Sequence, residues 1–262
     1  MKKTFFYAAA LLVSVSLSSC SKEETETGGE ASLPTPTGNT KYLLKYRHYE
    51  GDSVLLLTKY TLSGNNLLLA DTSYSPYYEM GFYKTRGFIY GSNGLSRVDN
   101  KSYRADGTID TDERESYSTS YTYSGNTISE KHSFTSNKWN VYYMENGKIV
   151  RAEEVGDTDI DKYYYSGNDC IKIERFKGAL LGATINNVFD DKKNPFYNNW
   201  FAFNYEALGE HNIKTSTRTY DDGTNEVDFN VSYLEYNSQD YPTKYEVTDY
   251  GTTVYSYEYI GW

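Results

Sequence analysis

The stretch Tyr117-Ser118-Thr119-Ser120-Tyr121-Thr122-Tyr123-Ser124-Gly125-Asn126 is a compact strand-and-turn pattern in this chain of 262 residues. Larger tyrosine and threonine side chains alternate with serine and threonine. This period of two is expected when one face of a β-strand is buried and the other faces water. The Ser-Gly-Asn ending indicates a tight turn, because glycine and asparagine tolerate positive φ angles. The stretch therefore predicts a β-strand that enters a hairpin.

The same pattern recurs along the chain. Alternating apolar side chains are found at Val227, Phe229, Val231 and Tyr233, and at Tyr255, Tyr257 and Tyr259. Turn signals separate such runs at Ser63-Gly64-Asn65, Asn93-Gly94, Asp106-Gly107, Asn146-Gly147, Ser166-Gly167-Asn168 and Asp222-Gly223. A hairpin about every 20 residues predicts an all-β fold, an extended antiparallel meander of hairpin repeats with about ten to fourteen strands over residues 41–262. The pattern fits either an open single-layer sheet or a partly rolled one.

Tyrosine is the unusual component, with 30 residues against 11 phenylalanines and 3 tryptophans. Its apolar ring and polar tip suit a half-wet strand face, where cross-strand tyrosine pairs stabilise a thin sheet. The same rings could form a surface on which glycans stack. For that function we name three candidate stacking residues, Trp139, Trp200 and Trp262.

The N-terminus has the order of an export signal. Lys2 and Lys3 precede an apolar run, Phe5 to Val13, that is too short to span a bilayer, so residues 1–19 are predicted to be a cleaved signal peptide. The next residue, Cys20, ends a Leu-Ser-Ser-Cys sequence that resembles the lipobox of bacterial lipoproteins. The resemblance implies an acylated Cys20 that anchors the chain in a membrane. Residues 20–40 are polar, acidic and rich in Gly, Pro and Thr, which predicts a disordered tether.

Two further resemblances point to a location. Ser21-Lys22-Glu23-Glu24 is similar to the surface-export signal of Bacteroidota lipoproteins, which implies the outer membrane, with either the cell surface or the periplasm as the side faced. The Tyr-x-Tyr-x-Gly-Asn units resemble the YD-repeat-related β lipoproteins of that phylum, and Phe189–Phe196 is similar to a segment of an uncharacterised family among them. These resemblances imply a β fold and an outer-membrane address, and they lend no catalytic residues.

Charge narrows the range of partners. Without residues 1–19 the chain has 24 basic and 36 acidic residues, a formal charge of −12. Nucleic acid is therefore an unsuitable partner, because its phosphates repel an acidic protein. The same repulsion opposes contact with an anionic membrane, so we expect only the acyl chains to contact the lipid. The expected partners are the membrane, through the anchor, and a glycan or an envelope protein bound on the sheet surface. A structural or adhesive scaffold without a small ligand is the alternative.

The sequence offers no catalytic constellation. Cys170 lies in a predicted strand and is expected to be a small buried residue, and it has no second cysteine to pair with once Cys20 is acylated. The histidines His48, His132 and His211 are too widely spaced for a ligand motif, and Gly156–Asp161 departs from a calcium loop. We predict no metal, no cofactor and no enzymatic activity. Paired carboxylates of a glycan hydrolase remain open, because their spacing is spatial.

Two local patterns concern the shape of the sheet. Residues 189–211 contain Pro195 and an aromatic group that includes Phe196, Phe201 and Phe203, which we interpret as a loop closing one end of the sheet. An outer-membrane barrel would end in an aromatic residue, as Trp262 does. Counting back by twos, however, gives Ile260, Glu258 and Ser256 on the lipid face. We therefore expect a lipid-tethered domain surrounded by water.

Overall fold

The computed structural model describes residues 36–49, 53–75, 81–135, 139–199, 201, 207–249 and 251–262. Within them the chain forms sixteen strands. They are β1 (Lys41–Tyr49), β2 (Ser53–Leu62), β3 (Leu68–Tyr74), β4 (Phe82–Gly91), β5 (Gly94–Ser102), β6 (Tyr117–Ser124), β7 (Thr127–His132), β8 (Asn140–Glu145), β9 (Lys148–Glu154), β10 (Asp159–Ser166), β11 (Asp169–Lys177), β12 (Leu180–Lys193), β13 (His211–Tyr220), β14 (Asn225–Tyr236), β15 (Pro242–Thr248) and β16 (Thr252–Ile260).

Each strand pairs antiparallel with the next, and β1 pairs with β16, so that the sheet closes into a barrel. The all-β antiparallel prediction is confirmed. The prediction of an open or partly rolled sheet is wrong, and the described strands outnumber the ten to fourteen expected. Closure pairs Leu43 with Tyr259, residues more than 200 positions apart, and the hairpin pattern carries no information about such a distant contact. Closing the sheet removes both of its unpaired edges.

The glycines in the predicted turns adopt the positive φ angles that tight turns require. Gly125, Gly147 and Gly167 adopt φ angles of 56°, 76° and 57° in the turns after β6, β8 and β10. Asn146 also has a positive φ, of 50°. Tight turns therefore connect these strands, as the sequence pattern predicted.

One face of each strand points into the barrel and is apolar. Leu43, Leu62, Leu95, Ile128 and Ile173 have no exposed surface. Tyrosines complete this interior, and several of their hydroxyls form hydrogen bonds inside the barrel, as in the contact between Tyr123 Oη and the Leu95 carbonyl at 2.8 Å. Other inward rings that pack against the same core are Tyr60, Tyr90, Tyr121, Tyr142, Tyr163, Tyr165, Tyr233, Tyr245, Tyr257 and Tyr259. The tyrosines thus build a core from apolar rings whose polar tips can bond within it.

The opposite face of the strands, on the outside of the barrel, is polar and charged. Outward-facing charged residues alternate with buried ones and include Lys59, Arg97, Asp99, Lys101, Lys131, Arg151, Lys162, Lys172, Glu174, Lys244, Glu246 and Glu258. A membrane barrel has the reverse pattern, an apolar band outside and a polar interior. Placing charges on the lipid face costs about 2–4 kcal/mol for each Lys or Arg at mid-depth. Large apolar residues such as Ile89, Val188 and Val227 are also exposed on this wall, and its charged residues favour contact with water.

Helices give no alternative route across a bilayer in the part of the chain that is described, since it contains no helix of sufficient length and apolarity.

The connection between β12 and β13 enters the barrel, as the sequence analysis predicted for an end-closing loop. Phe196 packs edge-on against Tyr60 of β2 at 5.4 Å and against Tyr257 of β16 at 5.9 Å between ring centroids. Phe201 lies 5.7 Å from Phe88 of β4. These contacts are with strands on one side of the barrel, whereas Cys170 N of β11, on the other side, donates to the Leu208 carbonyl at 3.0 Å. The described part of the connection, 194–199, 201 and 207–210, is therefore a plug. Residue 203 lies outside the described residues.

Hydrogen bonds attach the plug to the turns around it. Asn199 is fully buried; it accepts a hydrogen bond from Leu68 N at 2.8 Å and donates one to the Asn66 carbonyl at 2.8 Å. Where the plug returns to the wall, His211 Nδ1 lies 2.8 Å from Asp169 Oδ2. Thr37 and Trp262 lie at this same plugged end, and Thr37 is bonded to Asn65 in the turn after β2.

We predict that Leu43→Ala lowers the free energy of unfolding by about 2–5 kcal/mol, because Leu43 is fully buried and its loss leaves a cavity at the closure of the barrel. Its neighbour Leu44 points to the outer wall, so Leu44→Ala is the matched control and should cost less than about 1 kcal/mol. Urea unfolding followed by circular dichroism measures both. Equal losses in the two variants would contradict the assignment of inner and outer faces.

The His211–Asp169 contact makes stability depend on pH. Its hydrogen bond to Asp169 raises the pKa of His211, so the folded state holds the proton more tightly than the unfolded state. The resulting stabilisation is complete below the ordinary histidine pKa and is lost as pH rises through the raised value. We expect the wild-type protein to gain stability over His211→Gln between about pH 9 and about pH 5.5. Urea midpoints that run parallel for both proteins would refute this assignment.

Candidate functional site

A cleft runs along the inner side of strands β8–β16. It consists of three cavities of about 610, 350 and 350 Å³. We call the first the mouth cavity, because its lining comes from strand ends and turns at the end of the barrel opposite the plug. Arg218 and Tyr220 line both the mouth cavity and the middle cavity, and Asp228 and Phe229 line both the middle and the inner cavity. The three cavities are thus adjacent and share wall residues, and their volumes are typical of ligand sites.

Paired charges line the mouth and middle cavities. Arg175 Nε lies 3.4 Å from Asp161 Oδ2, and Arg218 Nη2 lies 3.2 Å from Asp228 Oδ2. Asp161 and Arg175 face each other on neighbouring strands β10 and β11, while Arg218 and Asp228 are on β13 and β14. Acidic residues outnumber basic ones in these linings, which contain Glu153, Glu154, Asp159, Asp161, Arg175, Lys177, Arg218, Asp221, Glu226 and Asp228. The site therefore offers donors and acceptors side by side with an acidic balance.

Arg218 is the residue that joins these groups. Its hydrogen bond with Tyr220 and the charge of Asp228 raise the pKa of its guanidinium, and burial opposes them. The Tyr220 hydroxyl in turn donates to Glu226 Oε2 at 2.9 Å. The Nε of Arg218 is buried without a hydrogen-bond partner in the described structure. This network fixes the guanidinium and leaves one donor unused at the junction of the mouth and middle cavities.

Burial also affects the first carboxylate of the mouth. Desolvation raises the pKa of Asp161, and the neighbouring Arg175 partly opposes that rise. The Asp161 carboxylate is therefore a hydrogen-bond acceptor that lies close to the Arg175 donor. An arrangement of guanidinium beside carboxylate matches a hydroxyl group, which donates one hydrogen bond and accepts others.

The structure separates the predicted stacking residues. Trp139 lies just before β8 at the mouth end, where Lys131 Nζ is 5.7 Å from its ring. Trp262 lies at the plugged end, donates from Nε1 to the Tyr42 carbonyl at 3.1 Å and packs against Tyr241 and Tyr259. Trp200 lies outside the described residues. The two described tryptophans therefore do not share a surface.

The other predicted sites have plain outcomes. Cys20, with residues 1–19 and most of the tether, lies outside the described residues. Cys170 is fully buried as predicted, and burial raises the pKa of its thiol to about 12, which leaves it unreactive. Within the described ranges, no three His, Cys, Asp or Glu side chains are grouped so that they could hold a metal ion.

Sequence reasoning did not find the paired residues of the mouth. Asp161 was considered only as the end of a segment that departs from a calcium loop, whereas it faces the interior opposite Arg175. One feature of the sequence could have identified Asp161. The alternation of side chains along β10 places Asp161, Tyr163 and Tyr165 on one face of the strand. That signal identifies a shared face, but only the closed barrel identifies the face as internal.

Fold and site together define a class of protein: a sixteen-strand β-barrel with an apolar, plugged interior, a charged outer wall and an internal cleft that opens at one end. No protein-family model matches the chain, and no curated protein matches it. Among solved structures it is similar to a porin-like protein from Bacteroides uniformis, with 11% identity, a TM-score of 0.45 and coverage of 87% of this chain and 99% of that one. It is also similar to a porin-like protein from Bacteroides vulgatus, with 9% identity, a TM-score of 0.29 and coverage of 87% and 100%. Likeness at this level assigns no function.

Proposed function

We propose that this chain is a non-enzymatic, lipid-anchored protein of the outer membrane that binds an uncharged glycan in the mouth of its barrel. The observation that carries the proposal is the row of arginine–carboxylate pairs, Arg175–Asp161 and Arg218–Asp228, along an internal cleft. Glycan hydroxyls both donate and accept, so each pair can serve one hydroxyl from both sides. The ring of Tyr220 supplies a flat face against which the apolar side of a sugar can pack.

Charge supports a neutral ligand over an anionic one. The excess of acidic side chains around the cleft repels phosphate and carboxylate groups, and the whole chain has a formal charge of −10. A neutral polyhydroxylated ligand avoids this repulsion and uses the local dipoles. Compared with the sequence-based expectation, this proposal moves the binding surface from the outer sheet face to the barrel interior.

Acylation of Cys20 accounts for membrane attachment in this proposal. The charged outer wall makes barrel insertion unfavourable, so the acyl chains and the tether carry the contact. The N-terminal strand begins at the plugged end, and the mouth opens at the opposite end. With the plugged end toward the membrane, the mouth faces away from the lipid surface, where a glycan can enter.

The test uses a panel of neutral oligosaccharides on a glycan array, followed by calorimetry on the sugars that bind. We expect Arg175→Gln and Arg218→Gln each to weaken binding at least about tenfold, equivalent to about 1.4 kcal/mol, because hydrogen bonds from a charged donor are lost. Arg97→Gln is the matched control, since Arg97 forms the same kind of pair with Asp99 on the outer wall. Trp139→Ala at the mouth end reports whether that ring also stacks on the ligand.

An array without hits would contradict the proposal, as would equal losses in Arg175→Gln and Arg97→Gln. If the protein were a scaffold without a small ligand, no glycan on the array would bind to it.

Glycan hydrolysis is a second candidate, because carboxylates converge on the mouth and burial raises the pKa of Asp161. Against it, Asp161 and Asp228 are each paired with an arginine, and Glu226 accepts from Tyr220. Incubation of each bound sugar with the protein distinguishes the two functions. The binding proposal predicts intact sugar by chromatography, whereas release of shorter products that stops in Asp161→Asn would establish a hydrolase.

A further inference from the structure

The inner cavity behind the mouth differs in chemistry from the mouth itself. It is about 350 Å³ in volume and lies between the plug and strands β13–β16. Its apolar walls are formed by Phe196, Ile213, Phe229, Val231 and Val247, and the lining also contains the polar residues Asn194, Asn212, Asp228 and Asp249. The apolar part of an interior site of this size suits an apolar group.

The polar atoms around this cavity are already used by the protein. The hydroxyls of Tyr245 and Tyr257 lie 3.0 Å apart and bond to each other, and Tyr233 Oη donates to the Ile213 carbonyl at 3.1 Å. The Asn194 side chain donates to the Gly209 carbonyl and accepts from Phe196 N. Apolar cavities of about 150 Å³ in other proteins stay dry and admit benzene. With these polar groups satisfied, water gains little by entering the inner cavity.

The inner cavity adjoins the proposed glycan site through shared wall residues. Asp228 and Phe229 form part of its wall and also line the middle cavity, which shares Arg218 with the mouth. Asp228 is paired with Arg218, so the charges are held on the mouth side. A single molecule can therefore place a polar part among the paired charges and an apolar part against the valine and phenylalanine side chains.

We infer that the ligand is an amphiphilic glycoside, whose uncharged alkyl or aryl group occupies the inner cavity while its sugar occupies the mouth. This inference rests on the proposed function for the sugar, but the apolar half stands on the inner cavity alone. The two halves can be tested separately.

The first test uses the neutral apolar fluorophore N-phenyl-1-naphthylamine with the mature full-length protein. We expect saturable binding with a rise in fluorescence. Val231 and Val247 face each other across β14 and β15 inside the cavity, so Val231→Trp should fill it and weaken probe binding at least tenfold. Val227→Trp is the matched control, because Val227 is on the same strand and is exposed on the outer wall. It should change probe binding less than twofold.

A folded barrel is verified by circular dichroism, and Val247→Phe replaces Val231→Trp if the larger side chain unfolds the protein. Absence of saturable probe binding to the wild type overturns the inference. Equal binding by the wild type and the cavity-filled variant overturns it as well. Neither result depends on whether any glycan binds.

The second test compares the n-octyl and methyl glycosides of the sugar that binds best on the array. We expect the octyl glycoside to bind at least tenfold more tightly to the wild type, and this advantage to disappear in the cavity-filled variant. Equal affinities of the two glycosides for the wild type would refute the amphiphile while leaving the glycan function intact. An array without hits, together with saturable probe binding, would instead refute the glycan function alone.

Discussion

The structure depends on the requirement that every strand bury one face and leave the other in water. A single twisted sheet cannot bury a face unless another layer covers it or the sheet closes on itself. Here it closes, through the pairing of β1 with β16, and the plug fills part of the space that sixteen strands enclose. Tyrosine suits this interior because its ring adds apolar area while its hydroxyl reaches a carbonyl or another hydroxyl on a neighbouring strand.

The two ends of the barrel also differ in the polarity of their inward-facing side chains. The plugged end holds the fully buried leucines and Ile128, together with Asn199, which bonds the plug to the turn after β2. The mouth end holds charged residues on the same inward faces, among them Asp161 and Arg175. An inward charge is tolerated where water reaches it and a partner of opposite sign is near, and it is costly deeper inside. The site therefore lies where the core ends.

Much of the local structure could be predicted from sequence. The alternation around Tyr121 and the turn at Gly125 identify strand and hairpin, and the aromatic group near Phe196 indicates a segment that covers an end. Closure could not be predicted, because β1 and β16 have the same pattern as the internal strands and nothing in either sequence marks it as a partner of the other. The final strand, with Glu258 and Ser256 on the presumed lipid face, was used to argue against a barrel that spans a membrane, and this argument did not address closure of the sheet in water.

The candidate site was missed for the same reason. Asp161 and Arg175 are 14 positions apart, and Arg218 and Asp228 are ten apart. Each pair is separated by a turn, and the two strands that the turn connects are paired with a β-bulge. Sequence spacing does not show that these residues face a common space, and a charged residue in a strand is more often on the outer face. The aromatic residues selected for binding, Trp139 and Trp262, were chosen by residue type, and the fold placed them at opposite ends.

The central claim is that the barrel wall contacts water and that only the acyl chains hold the protein to a membrane. The most direct measurement is fractionation of cells that express the chain with residues 1–20 replaced by an export signal that leaves no acylated cysteine. The account predicts that this protein is recovered in the aqueous fraction without detergent, with the β-sheet circular dichroism spectrum of the lipidated form. A protein that stays with the membranes through an alkaline carbonate wash would contradict the account, because its wall would then be embedded in lipid.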